Sequence, residues 1–112
     1  MTYDAELADR LRDLLVGEPG LSEKKMFGGL AFLLGGHMAV CASGQGGLMV
    51  RLDGATYEKY VDSDGIEPVL MRGRPMTGWV RVDVAKVRTA KQLSTWVARG
   101  TATARALPPK RT

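Results

Sequence analysis

A chain of 112 residues that is 45% hydrophobic and 25% charged has room for one domain around one modest core. Its single cysteine, Cys41, cannot close an internal disulfide, no basic start leads into an apolar run, and the longest apolar runs, Leu30 to Leu34 and Met38 to Ala42, fall far short of the roughly 20 residues that span a bilayer; neither a signal peptide nor a membrane helix is expected, and the location is expected to be cytoplasmic. The formal charge of +4 hides an asymmetry, with 6 Lys/Arg against 11 Asp/Glu in residues 1–70 and 10 against 1 in residues 71–112, which fits either a basic face for an anionic partner or a basic C-terminal half lying beside acidic elements of the same domain.

From Asp4 to Val16, Leu7, Leu11, Leu14 and Leu15 recur at helical spacing, with Glu6, Asp9, Arg10, Arg12 and Asp13 mostly around the rest of the cylinder. This predicts an amphipathic first helix, capped by Thr2 or Asp4 and ended by Gly17-Glu18-Pro19-Gly20. From Lys24 to Asp53, short apolar runs separated by glycines fit three antiparallel strands better than a helix. Leu34-Gly35-Gly36-His37 is read as a tight hairpin, because two glycines accept the positive φ angles of turns that match strand twist. Ser43-Gly44-Gln45-Gly46-Gly47 is the next turn. On the third strand Leu48, Val50 and Leu52 fall on one side and Met49, Arg51 and Asp53 on the other, so one face of the sheet is expected to be packed and the other partly wet.

Ala55 to Val61 is expected to form a short helix after Asp53-Gly54, burying Tyr57 and Tyr60 or Val61, until Asp62-Ser63-Asp64-Gly65 breaks it. Ile66 to Met71 is extended. Gly73-Arg74-Pro75 is a non-helical connection, since the residue before proline is pushed toward extended geometry, and Trp79 to Asp83 alternates as a strand. The last helix runs from about Thr89 to Arg99 on a packed face of Leu93, Trp96 and Val97, and can resume after Gly100. Residues 1–107 form the domain, and Pro108 to Thr112 a frayed basic tail. The resulting order, α-β-β-β-α-β-β-α with mainly antiparallel pairing and helices packed on the sheet, is that of a single α+β domain.

Lys25-Met26-Phe27-Gly28-Gly29, the hairpin after it, the Leu48 to Asp53 strand and Gly73-Arg74-Pro75-Met76-Thr77-Gly78-Trp79 together resemble the N-terminal domain of the TfoX/Sxy competence-regulator family, over about residues 4–100. The two glycine-bearing motifs stand in the family's order and at its approximate spacing. The resemblance implies an α+β fold with helices around an antiparallel sheet, similar to that of secretion-chaperone-like proteins. In the two-domain regulators this domain precedes a helical domain of the DNA-associated kind, and the protein promotes competence-gene expression together with the cyclic-AMP receptor protein. The 112 residues here leave no room for that second domain, so the resemblance is to a single-domain member.

Four cations are candidates for binding a partner or an anion. Lys25 leads into Met26-Phe27, where Gly28-Gly29 forms either a bulge that lets Phe27 enter the core or a point of close backbone approach; the resemblance suggests an edge for a partner there. Arg72 and Arg74 sit on a glycine- and proline-shaped loop and Arg81 on the next strand, so their guanidinium groups would grip a carboxylate or phosphate if they converge. The bland alternative has Arg74 holding the acidic first helix or a loop carbonyl. Arg88, Lys91 and Arg99 form a loose stripe on the last helix, with Arg105, Lys110 and Arg111 beyond, which fits phosphate contacts or a solvated face. Stacking platforms are few, so sequence-specific nucleic-acid recognition is not expected.

His37 and Cys41 are the only soft metal ligands, and on a strand they stand about 13 Å apart, too far to share a metal or to form a nucleophile with its base. Met26, Met38, Met49, Met71 and Met76 fit either core filler or an adaptable binding surface. The glycines match neither G-x-x-x-x-G-K-[ST] nor a strand-to-helix G-x-G-x-x-G, and no cofactor is expected. Three functional readings follow. The favoured one is a non-catalytic cytoplasmic regulatory or adaptor domain acting by protein–protein contact, where an exposed strand edge would also serve a homodimer. The second is a weak, non-specific nucleic-acid-binding accessory protein using the basic C-terminal half. The third is a sensor or enzyme for a small anion, with an Arg-lined pocket; no catalytic constellation is legible for it.

Overall fold

The computed structural model of the protein describes residues 4–26, 28–44, 46–61 and 63–107, Met71 by its backbone. Asp4 is extended and its carboxylate accepts the Leu7 N–H at 3.1 Å, which starts helix α1, Ala5–Leu15. Leu7, Ala8, Leu11 and Leu15 are buried, while Leu14, at the margin of that arc, is 41% exposed. Four strands follow rather than three: β1 Leu21–Met26, β2 Gly29–Leu34, β3 His37–Ala42 and β4 Leu48–Arg51. The additional strand is β1, whose sequence LSEKKM is exposed at its four central positions because it lies at an edge of the sheet.

Met26 pairs with Gly29, so β1 and β2 form a hairpin, and Gly28-Gly29 belongs to it rather than to a bulge. The core position expected for Phe27 lies outside the described residues. A side chain on Gly29 would run into the Ala42 carbonyl, and one on Gly44 into the Gly28 carbonyl, so the first hairpin and the β3–β4 loop meet backbone to backbone. Gly35 and Gly36, with φ of 59° and 85°, make the two-residue hairpin between β2 and β3.

Asp53 caps helix α2, Gly54–Tyr60, by accepting the Thr56 N–H at 2.8 Å. Strands β5, Ile66–Met71, and β6, Arg74–Val82, are joined by Arg72-Gly73 alone, so Arg74 and Pro75 already belong to a strand instead of a connection. A single 3-10 turn, Val84–Lys86, leads to helix α3, Ala90–Arg105, started by a reciprocal Thr89/Gln92 capping box. The helix runs through Gly100 without a break. Gly100 is where its backbone rests on β3, since a Cβ there would collide with the Ala39 carbonyl and stand 3.0 Å from Val40 Cγ1. Ala39 is the extra residue of a bulge, Phe32 pairing with Val40 and Leu33 with Met38, and it turns toward α3 to pack with Ala104.

The strands form one antiparallel sheet in the order β1-β2-β3-β4-β6-β5. All three helices contribute to the main core on one face of it, where Leu11, Leu15, Tyr57, Leu93 and Trp96 meet Phe32, Val40, Val50, Val80 and Val82. Among the described residues no helix is long and apolar enough to cross a membrane. Ion pairs link the acidic and basic halves of the chain: Arg105 with Glu18 at 2.9 Å, Lys86 with Asp64 at 3.2 Å and Arg81 with Glu67 at 2.8 Å. Each is exposed enough to add little stability, but together they account for part of the C-terminal charge within the domain.

Candidate interaction face

The four cations singled out for anion or partner binding do not converge. Arg72 and Arg74 share one hairpin tip, both exposed, and Arg72 holds the positive φ of 55° that such a turn imposes. Arg81 lies about 20 Å further along β6, seven residues on at roughly 3.3 Å each less the irregularity at Gly78, and is paired with Glu67. Lys25 stands on β1, four strand spacings from β6, or about 19 Å away. Arg81 does line an open cleft of about 250 Å³, but its company there is Glu67, Asp83 and the Gly46-Gly47 turn rather than other cations. The geometry for an Arg-lined anion pocket is therefore missing among these residues, because strand order separates what the sequence left free to meet.

The stripe on the last helix is also divided. Arg99 lies over Tyr60 and Trp96, 4.4 and 4.5 Å from their ring centroids, and donates to the Tyr60 hydroxyl at 3.0 Å. Arg105 donates to Glu18 and to the Pro19 carbonyl. Both are committed to internal contacts. Arg88 and Lys91 remain exposed beside Arg10, which donates to the carbonyls of Arg88 and Thr89. In the first turn of α3 the Gln92 N–H donates to the Thr89 hydroxyl at 3.0 Å. Lys110 and Arg111 lie outside the described residues.

The residues that do come together lie on the other face of the sheet. Because side chains alternate along a strand, Ala31, Cys41 and Met49 point away from the helices, and with Met38 they form a second apolar cluster. Ala31 and Cys41 are fully buried and Met38 and Met49 4% exposed, although every member belongs to a strand. Half-buried Met26, Leu33, Val69 and Trp79 pack around them, and Arg51 stacks on Trp79 with its guanidinium carbon 5.3 Å from a ring centroid. Burial pushes the Cys41 thiol up to about 11, and its Sγ contacts the Ala42 carbonyl at 3.6 Å, so it is a packed residue rather than a nucleophile. His37 is half-buried at the β2–β3 hairpin, and among the described residues no three His, Cys, Asp or Glu side chains gather to hold a metal.

This face carries few charges. Register places Lys24 opposite Ala31, Arg51 opposite Trp79, and Arg81 between Met49 and Glu67. The sequence held a signal for the face that alternation on β4 alone did not reveal: Leu30 to Leu34 and Met38 to Ala42 are apolar at every position, as expected of strands covered on both sides.

Three helices on one side of a six-stranded antiparallel sheet, with an apolar cluster on the other, define a single α+β domain. The chain belongs to the TfoX N-terminal domain family, whose model matches residues 13–104. Comparison with curated proteins gives no match.

Proposed function

We propose that the protein is a non-catalytic cytoplasmic regulatory or adaptor domain that works through protein–protein contact. The observation carrying this reading is the helix-free face of the sheet: Met26, Leu33, Val69 and Trp79 keep partial exposure there around a buried Met38–Met49 centre. Methionine side chains adapt their shape to a partner, and tryptophan and arginine are both enriched at binding hot spots. The exposed Arg72/Arg74 tip at the end of β6 supplies polar contacts of the kind that rim such a surface.

The test is site-specific photocrosslinking in cells, with the photoreactive residue replacing Leu33 on the helix-free face or Thr95 on the exposed side of α3. A discrete protein adduct from position 33 and none from position 95 is the expected outcome. Adducts from position 95 alone, or adducts of position 33 with nucleic acid only, would overturn the reading.

A further inference from the structure

Resting on that reading, we infer that the helix-free face docks an acidic, amphipathic helical segment of a partner protein. Charge and dimensions select this occupant. Among the described residues the face bears Lys24, Arg51 and Arg81 against the carboxylates of Glu67 and Asp83, which line one cleft with Arg81, and Glu67 is paired with Arg81. The face therefore keeps one positive charge in excess, with Lys24 and Arg51 at the margin of the apolar cluster. A second copy of the chain would bring the same excess against it, and its own C-terminal residues Lys110 and Arg111 are cationic, so both are opposed by like charge. A partner with carboxylates beside an apolar stripe meets both features at once.

The half-buried rim runs from Met26 on β1, through Leu33 on β2, to Trp79 on β6 and Val69 on β5, and so reaches across the whole sheet. Five strand spacings make this span about 24 Å. A helix of about 16 residues has the same length. Nucleic acid is the weaker match, because Trp79 is the one aromatic ring described on this face and its neighbours are Met, Leu and Val, which offer bases no stacking partners.

The probes are two fluorescent synthetic helices of about 18 residues. They share one leucine stripe, and every polar position is Glu in one and Lys in the other. Anisotropy titrations of the full chain at near-physiological salt are expected to show at least tenfold tighter binding of the Glu peptide. The double variant Lys24→Glu/Arg51→Glu should abolish that preference while its far-UV spectrum and melting temperature stay near those of the parent. Arg88→Glu/Lys91→Glu, on the helical side, should leave it unchanged. Amide shifts on adding the Glu peptide should center on residues 31, 33, 49 and 79.

Equal affinity for the two peptides, no binding of either, or indifference to Lys24→Glu/Arg51→Glu would overturn the inference. So would a concentration-dependent dimer lost in that variant, which would assign the face to a second copy, or preferential displacement of the Glu peptide by duplex DNA. Failure here is separable from failure of the adaptor reading. Protein adducts at position 33 without acidic preference leave the adaptor reading standing and remove only this one.

Discussion

Adding one methyl group at Gly100 tests how helix α3 is seated. In an exposed helix interior, Gly→Ala is stabilising by about 1 kcal/mol, because alanine has less backbone freedom to lose. At Gly100 the new Cβ would collide with the Ala39 carbonyl and stand 3.0 Å from Val40 Cγ1 and 3.1 Å from the Ala39 carbonyl carbon. Those atoms belong to β3, a central strand paired with β2 and β4, so the strand cannot yield and the helix must lift. Lifting it loosens Leu93, Trp96, Val97 and Ala104, all buried against the sheet. Overpacking of this kind costs about 1–3 kcal/mol, and a rigid backbone neighbour puts Gly100 toward the upper part of that range. After the propensity gain, Gly100→Ala is expected to lose a net of about 1–2 kcal/mol, or about 5–15 °C in Tm for a domain of this size. Gly54→Ala is the control: nothing lies within 4 Å of its Cβ position, and its stability should stay within about 0.5 kcal/mol of the parent. Urea titrations followed by far-UV circular dichroism measure both. A Gly100→Ala midpoint equal to or above the parent's, with an unchanged slope, would refute the close seating of α3 on β3.

Four further outcomes are expected. Burial raises the Cys41 thiol from 9.0 to about 11, so the unfolded chain ionises first and stability should fall by about 2 kcal/mol as pH rises from 9 to 11, a loss absent in Cys41→Ala and measurable by urea midpoints across that range. Arg12 grips Glu23 through two hydrogen bonds at 2.8 and 2.9 Å and holds that carboxyl below its ordinary value; Glu23→Gln should therefore lower Tm at neutral pH, with the difference vanishing as acid protonates the folded carboxylate and shrinking in high salt. Arg72→Asn should stabilise by about 0.5–1 kcal/mol in thermal unfolding, since asparagine tolerates the φ of 55° better than arginine. In anisotropy against duplex DNA at low salt, Arg88→Glu/Lys91→Glu should remove whatever binding exists, while Arg99→Ala should leave it unchanged and reduce stability by about 1–2 kcal/mol through loss of its seat on Tyr60 and Trp96.

The sequence by itself determined the elements whose signals are local. The leucine spacing of α1, with Thr2 or Asp4 as its cap, the Gly35-Gly36 hairpin, the short α2 after Asp53-Gly54 and the start of α3 near Thr89 all follow from periodicity, positive φ and capping, which act within a few residues. Strand β1 escaped because an edge strand need not bury side chains, so LSEKKM carries neither an apolar run nor an alternation. Gly100 suggested a helix end because local propensity disfavours glycine there, whereas its reason is a backbone 61 positions earlier, at Ala39. The same limit governs the candidate site. Only strand order decided that Lys25 and Arg81 stand four strands apart and that Met26, Leu33, Val69 and Trp79 share a face with Cys41 at its centre, and only helix packing committed Arg99 and Arg105 to internal contacts. Periodicity tells each strand which of its residues lie together, but it does not say which strand lies beside which, and a binding surface made from four strands exists only once that pairing is fixed.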